Sequence, residues 1–192
     1  MNICVFGAAS SEIDQKYIED VELMAETLAK NGHSLVFGAG GQGLMGAAAR
    51  GFKKGGAKIT GVIPTFFKEA QVEAIYEECD ELIYTDTMRE RKAIMEDNAD
   101  AFVIVPGGIG TFEELFEVLT LKQLGRHSKP IAIYNCRGYY DKMEAMLNTS
   151  IDEGFVRHTC REIYSYVDNI DELTKYLNDN QQCNYTVSEL KA

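Results

Sequence analysis

Short apolar runs rich in Val and Ile alternate along the chain with longer amphipathic stretches, and this alternation limits the fold more than any other feature. The runs fall at residues 3–6, 35–37, 59–63, 82–84, 101–105, 131–134 and 163–167. Most are apolar at successive positions, so the strands they form must be covered on both faces, as in a parallel sheet. The stretches between them read as helices at about 14–30, 44–54, 87–98, 112–124, 139–153 and 170–178. In the first of these Ile18, Val21, Ala25 and Leu28 recur at helical spacing, and Gly32 stops the helix. The expected fold class is therefore α/β: a Rossmann-like, doubly wound, mainly parallel sheet of about seven strands with helices on both faces. The 192 residues contain no repeat, linker or low-complexity segment. One domain is expected over 1–180, followed by a polar, loosely held tail at 181–192.

A net charge of −11 argues against nucleic-acid backbones or anionic membranes as partners, although a few local donors could still hold a small phosphorylated ligand. The five cysteines, Cys4, Cys79, Cys136, Cys160 and Cys183, are scattered and follow no metal-ligand or C-x-x-C spacing. They read as reduced thiols of a cytoplasmic protein. The start, MNICVFGAAS, runs directly into a strand, so neither a signal peptide nor a membrane span is expected. His33, His127 and His158 share no spacing, and no metal site is expected.

In doubly wound sheets ligands bind beyond the carboxyl ends of the strands, at a topological switch point. Three glycine-bearing turns fall at such ends, at residues 7–10, 38–43 and 107–110. The second contains G-x-G-x-x-G as Gly38, Gly40 and Gly43, which formally matches a dinucleotide fingerprint. It follows the second strand, however, and the next strand ends Val62-Ile63-Pro64-Thr65 without the acid a ribose would require. No Walker sequence occurs. The third turn, PGGIGTFEE at 106–114, is more informative. Its glycines, Gly107, Gly108 and Gly110, remove Cβ atoms so that N–H groups can converge, and a helix opening at Thr111 would aim its positive end at the same point. Thr111 and Glu114 also have capping-box spacing, so Glu114 reads equally as a helix cap or as a working carboxylate. At that end of a helix it is expected to stay ionised, because the dipole lowers its pKa.

In TMRERKAIM, Met88, Arg91, Met95 and Asn98 share one helix face, so Arg91 interrupts an apolar stripe. A guanidinium there needs a partner. It could be a structural ion pair, a snorkelling side chain, or a cation lining a ligand pocket.

MRERK at 88–92 combined with PGGIGTFEE, 23 residues from Arg91 to Glu114, resembles the LOG ("lonely guy") family of cytokinin riboside 5′-monophosphate phosphoribohydrolases. The resemblance extends over about residues 2–155, through ICVFGAAS, LVFGAGGQGLMGAAARGFKKGGAKITGVIP and LKQLGRHSKPIAIYNCRGYYD. It implies hydrolysis of the N-glycosidic bond of a purine nucleoside 5′-monophosphate to free base and ribose 5-phosphate, with no cofactor. Arg91 and Glu114 would be the catalytic pair. Gly107, Gly108, Ile109, Gly110 and Thr111 would hold the phosphate, and Lys92 and Thr120 match further ligand-contacting positions. Met88, beside Arg91, and Ser10 and Gly41, in the other two turns, are counted with the binding residues. The resemblance also implies a homodimer with the site near the interface. Arg89 stands where the family commonly has His. The older "lysine decarboxylase" label on such sequences would need pyridoxal phosphate on a Schiff-base lysine, and no lysine here has a recognisable setting for one. The alternative on the same fold is a non-catalytic nucleotide or cofactor carrier.

Overall fold

The computed structural model describes residues 1–70, 74–179 and 186–191, without the side chains of 68–70. The chain runs β1 (Asn2–Phe6), α1 (Gln15–Lys30), β2 (Ser34–Phe37), α2 (Gly43–Lys54), β3 (Ile59–Pro64), α3 (Thr65–Ala70), β4 (Glu81–Thr85), α4 (Met88–Asn98) and β5 (Ala101–Ile104). It continues through α5 (Ile109–Gln123), β6 (Ile131–Tyr134), α6 (Asp141–Asp152), β7 (Ser165–Val167), α7 (Ile170–Asp179) and α8 (Val187–Leu190), with 3₁₀ turns at Cys136–Gly138 and His158–Glu162. The strands form one sheet in the order β4-β3-β2-β1-β5-β6-β7, and every pairing is parallel.

The two faces of the sheet are covered by different helices, and β1 shows why its run is apolar throughout. Ile3 and Val5 join a core with Val21, Met24 and Leu28 of α1, Leu44 and Phe52 of α2, and Leu173 of α7. Their neighbours Cys4 and Phe6 point the other way, into a core with Met95 of α4 and Leu115 and Val118 of α5. Each such side chain contributes roughly 1.5–3 kcal/mol on burial, so neither face could be left to solvent.

Gly32 has φ 84° and sits just beyond the end of α1, where the His33 N–H donates to the Leu28 carbonyl and closes the helix. β7 starts at Ser165, two residues later than expected, because 158–162 wind into a 3₁₀ turn first. α6 starts at Asp141, after Arg137 (φ 59°) and Gly138 (φ 70°) have turned the chain. The helix after β5 starts at Ile109, three residues earlier than expected, and α3 and α8 were not expected. In the C-terminal tail, 180–185 and 192 lie outside the described residues. The α8 residue Leu190 is buried, and its carbonyl accepts from Gln123 Nε2 (2.9 Å) and Cys160 Sγ (3.1 Å). Cys4, Cys79, Cys136 and Cys160 are unpaired thiols, and Cys183 is outside the described residues. Among the described residues no helix is long and apolar enough to cross a membrane.

The strand order reverses at β1, which lies between β2 and β5. The three glycine turns leave the carboxyl ends of these three neighbouring strands and therefore meet at one place.

Candidate active site

The first two turns are packed against each other. The Ala8 carbonyl accepts the N–H groups of Leu44 (2.8 Å) and Met45 (3.2 Å), so the amino end of α2 is already occupied. Gly43 makes this possible: its φ is 56°, and a Cβ there would lie 2.6 Å from the Ser10 carbonyl and 2.7 Å from that of Ala8. The helix end of the G-x-G-x-x-G match therefore faces protein, and Gly43 serves packing, while Gly38 and Gly40 give bare backbone to the cavity described below. Gly41 is similarly engaged, its N–H donating to the Ala74 carbonyl at 2.6 Å, and it does not line the cavity described below.

The third turn is different. Gly108 is the N-cap of α5, with no side-chain cap, and none of the N–H groups of Gly107, Gly108, Ile109, Gly110 and Thr111 finds an acceptor among the described residues. This is the geometry of an anion site. Because the helix starts at Ile109, Thr111 is inside its first turn and the expected Thr111–Glu114 capping box does not form. Glu114 lies in the second turn, half-buried, and faces the same cavity. Its pKa is pushed up to about 7, chiefly by desolvation, against the pull of Arg91. The expectation of a dipole-lowered, fully ionised carboxylate is thus corrected: the dipole acts within the first turn, and burial outweighs it.

Arg91 comes from α4, which Thr87 caps by accepting the Glu90 N–H at 3.1 Å. The side chain is 9% exposed. Its Nε donates to the Val62 carbonyl and its Nη2 to the Gly38 carbonyl, each at 3.1 Å, and the ring of Phe67 lies 5.6 Å from the guanidinium carbon. Gly38 is required for this approach, since a Cβ there would fall 1.6 Å from Nη2. No carboxylate among the described residues forms an ion pair with Arg91. Two carbonyl dipoles hold its charge in place.

A cavity of about 340 Å³ joins these parts. Of the residues singled out in the sequence, it brings together Ser10, Arg91, Gly108, Gly110, Thr111 and Glu114. Gly107 and Ile109 flank it, Ile109 being 88% exposed, and Met88 touches Arg91 through Sδ at 3.9 Å. Lys92 and Thr120 are not brought to this cavity. Lys92 Nζ pairs with Glu113 and Glu117, each at 2.5 Å, and Thr120 lines a separate apolar cavity of about 200 Å³ beside Phe116 and Ile151. A larger depression of about 930 Å³ around His33, Arg126 and His127 lies elsewhere. Its His127 is committed to the Val118 carbonyl (2.9 Å), and Lys129 to that of Glu96 (2.6 Å).

The family model described as "Possible lysine decarboxylase" matches residues 45–177. The chain is 41% identical over 173 residues to the cytokinin riboside 5′-monophosphate phosphoribohydrolase of Mycobacterium tuberculosis, covering 88% of this chain and 89% of that protein. It is 38% identical over 177 residues to the Arabidopsis thaliana cytokinin riboside 5′-monophosphate phosphoribohydrolase LOG2, covering 92% and 82%. The chain belongs to the LOG family.

Among solved structures, the molybdenum cofactor carrier protein of Chlamydomonas reinhardtii superposes with a TM-score of 0.70 over 93% of this chain and 96% of that one, at 21% identity. The cofactor-binding protein of Rippkaea orientalis does so with a TM-score of 0.70 over 93% and 95%, at 16%. These likenesses show the fold alone. For this LOG-family chain the decarboxylase description has no chemical counterpart in the site, because no lysine is among the described residues lining the cavity. No group of three or more His, Cys, Asp or Glu that could hold a metal occurs among the described residues. Gly38, Met45, Phe67 and Met95 line the cavity without having been singled out as site residues. Phe67 carried a signal, an aromatic pair directly after a strand's carboxyl end; the others depend on contacts between distant segments.

Proposed function

We propose that this LOG-family chain hydrolyses the N-glycosidic bond of a purine nucleoside 5′-monophosphate, releasing adenine or an N6-modified adenine and ribose 5-phosphate. One observation carries the reading: the amino end of α5, with N–H groups unpaired among the described residues, contributes Gly108, Gly110 and Thr111 to the same cavity as a buried Arg91 in no ion pair and a carboxyl poised near neutrality. The amino end of α5 holds the 5′-phosphate, and that remote grip orients the anomeric carbon. As the C1′–N9 bond breaks, positive charge develops on the ribosyl ring, and the Glu114 carboxylate stabilises it or takes the proton of the attacking water. The new bond joins water oxygen to C1′, the bonding pair leaves with the base, and the proton that water gives up returns to the base through Glu114 or solvent, so that free base and ribose 5-phosphate result. A pKa near 7 leaves Glu114 present in both forms at neutral pH, which suits proton transfer in either direction. Arg91 keeps its proton throughout and acts on the departing base or the ribosyl phosphate by charge alone.

Two further parts of the reading follow. We place the active form as a homodimer with the site beside the interface. Supporting this, Met88 and Ile109 expose apolar surface beside the cavity, Phe116 exposes more along α5 at the separate apolar cavity, and Lys92 and Thr120 lie outside the active-site cavity of their own chain. Light scattering should give twice the chain mass, and Phe116→Glu should split the pair. We also place the reaction in the cytoplasm, where the described thiols would stay reduced.

The deciding experiment incubates purified protein with AMP and with N6-isopentenyl-AMP and follows free base by chromatography. Release is expected, and Glu114→Gln should lower kcat by about 10²–10⁴-fold. No base from either substrate, or undiminished release by Glu114→Gln, sinks the reading. Tight ligand binding without release would favour a carrier instead.

A further inference from the structure

The carbonyl groups of Val105, Pro106 and Gly107, in the turn between β5 and α5, are each held by a protein donor. Tyr140 Oη donates to the Val105 carbonyl (2.8 Å), the Ala8 N–H to that of Pro106 (3.1 Å), and Tyr139 Oη to that of Gly107 (2.6 Å). A trans peptide points its C=O and N–H in opposite directions, so holding one sets the other. The peptide after Val105 has no N–H, because Pro106 follows. The peptide after Gly107 carries the Gly108 N–H, and Gly108 lines the cavity.

Left to itself, a Gly-Gly peptide can turn over at little steric cost and present its carbonyl to the ligand. That would replace a donor with a negative dipole where an anion must sit. We propose that Tyr139 is a positioning residue for the anion cradle: its hydrogen bond to the Gly107 carbonyl keeps the Gly108 N–H turned into the cavity, toward the phosphate of the substrate. This rests on the function proposed above. The bond also polarises the peptide and strengthens the donor at its far end.

The chain spends structure on placing this hydroxyl. Arg137 and Gly138 are both left-handed and swing the next residues back over the turn. Asn135 Oδ1 accepts the Tyr140 N–H (2.7 Å), while its Nδ2 donates to Asp141 (2.8 Å) and Asp168 (2.9 Å). The Tyr139 ring meets those of Tyr17 and Tyr140 edge-on, with centroids 6.2 and 4.9 Å away. Tyr140 is a built-in control, because its hydroxyl holds a peptide that has no N–H to aim.

The test measures ribose 5-phosphate binding by calorimetry and AMP hydrolysis kinetics for the parent, Tyr139→Phe and Tyr140→Phe. Tyr139→Phe should weaken ribose 5-phosphate about tenfold and raise KM for AMP by a similar factor, with kcat within about twofold. Its affinity for adenine, which has no phosphate, should not change. Tyr140→Phe should lower the thermal midpoint yet keep ribose 5-phosphate within about twofold. The inference is overturned if Tyr139→Phe binds ribose 5-phosphate as the parent does, if both variants weaken it equally, or if adenine affinity falls in step. Base release by the parent with an unaffected Tyr139→Phe removes this inference alone. A parent that binds no ribose 5-phosphate but releases base removes this inference alone, and a parent that releases no base removes the hydrolase reading and this inference with it.

Discussion

The amino ends of α2 and α5 begin almost alike. Each follows a parallel strand and a glycine-rich turn, and neither N-cap, Gln42 or Gly108, supplies a side-chain capping bond. They differ in what comes over them from elsewhere in the chain. The turn after β1 lays the Ala8 carbonyl on α2, whereas the N–H groups opening α5 stay unpaired among the described residues. A glycine string therefore specifies backbone that can approach closely, and the neighbouring segment decides whether the approach is to protein or to ligand.

The sharpest way to break this contrast is to fill α5 from within. Space around a Cβ at Gly108 is open, so Gly108→Asp should place a carboxylate on the first-turn N–H groups without a clash. We expect stability to rise by about 0.3 kcal/mol from the new cap, while KM for AMP rises by about 100-fold as the cap competes with phosphate. A higher thermal midpoint together with a lost phosphate response would show that the bare cap is kept for the ligand. Unchanged KM would place the phosphate elsewhere.

The reciprocal change is Gly43→Ala at α2. The clash with Ser10 and the left-handed φ should cost about 1–3 kcal/mol in denaturant unfolding, while the protein that remains folded keeps its ribose 5-phosphate affinity. Equal loss of affinity and stability would mean that the two turns act as one site.

The smallest effect is in pH. Glu114 goes from its ordinary 4.5 to about 7 on folding, so the folded state holds the extra proton between those values. Its contribution is fully present below about pH 4.5 and is lost as pH rises through 7. Glu96, also pushed up to about 7 by burial and by Glu117, adds the same slope. Glu114→Gln should therefore flatten part of the decline and raise stability at pH 8 by on the order of 1 kcal/mol. An unchanged stability profile would mean that the Glu114 carboxyl is as well solvated in the folded state as in the unfolded chain.

The sheet was readable because its strands are buried on both faces, and the Val and Ile runs record that directly. The meeting of three turns at one cavity was readable because all three fall at strand ends of a doubly wound sheet. The start of α5 was not. Thr111 is the better local capping residue, yet the helix begins at Ile109 because bare glycine backbone continues into it. The protonation of Glu114 was misjudged for a related reason: the dipole is a local property, whereas desolvation comes from segments distant in sequence, including β1 and the turn after β2 that line the same cavity. The partners of Arg91 were out of reach too, because the Gly38 and Val62 carbonyls lie 53 and 29 residues away and carry no side-chain signature.

The position of β1 has a consequence for how the molecule assembles. β1, β2, β3 and β4 can pair in the order in which they are made, but β5 must return to the far side of β1, where Ile3 faces Ala101 and the Asn2 N–H reaches Asp100 across 98 residues. Closing so long a span costs more chain entropy than closing the shorter spans between β2, β3 and β4. The cavity straddles that seam, since Ser10 follows β1 and Glu114 follows β5. A growing chain therefore has no such cavity until β5 and α5 have emerged and joined the first four strands, whereas β6 and β7 are not needed to line it.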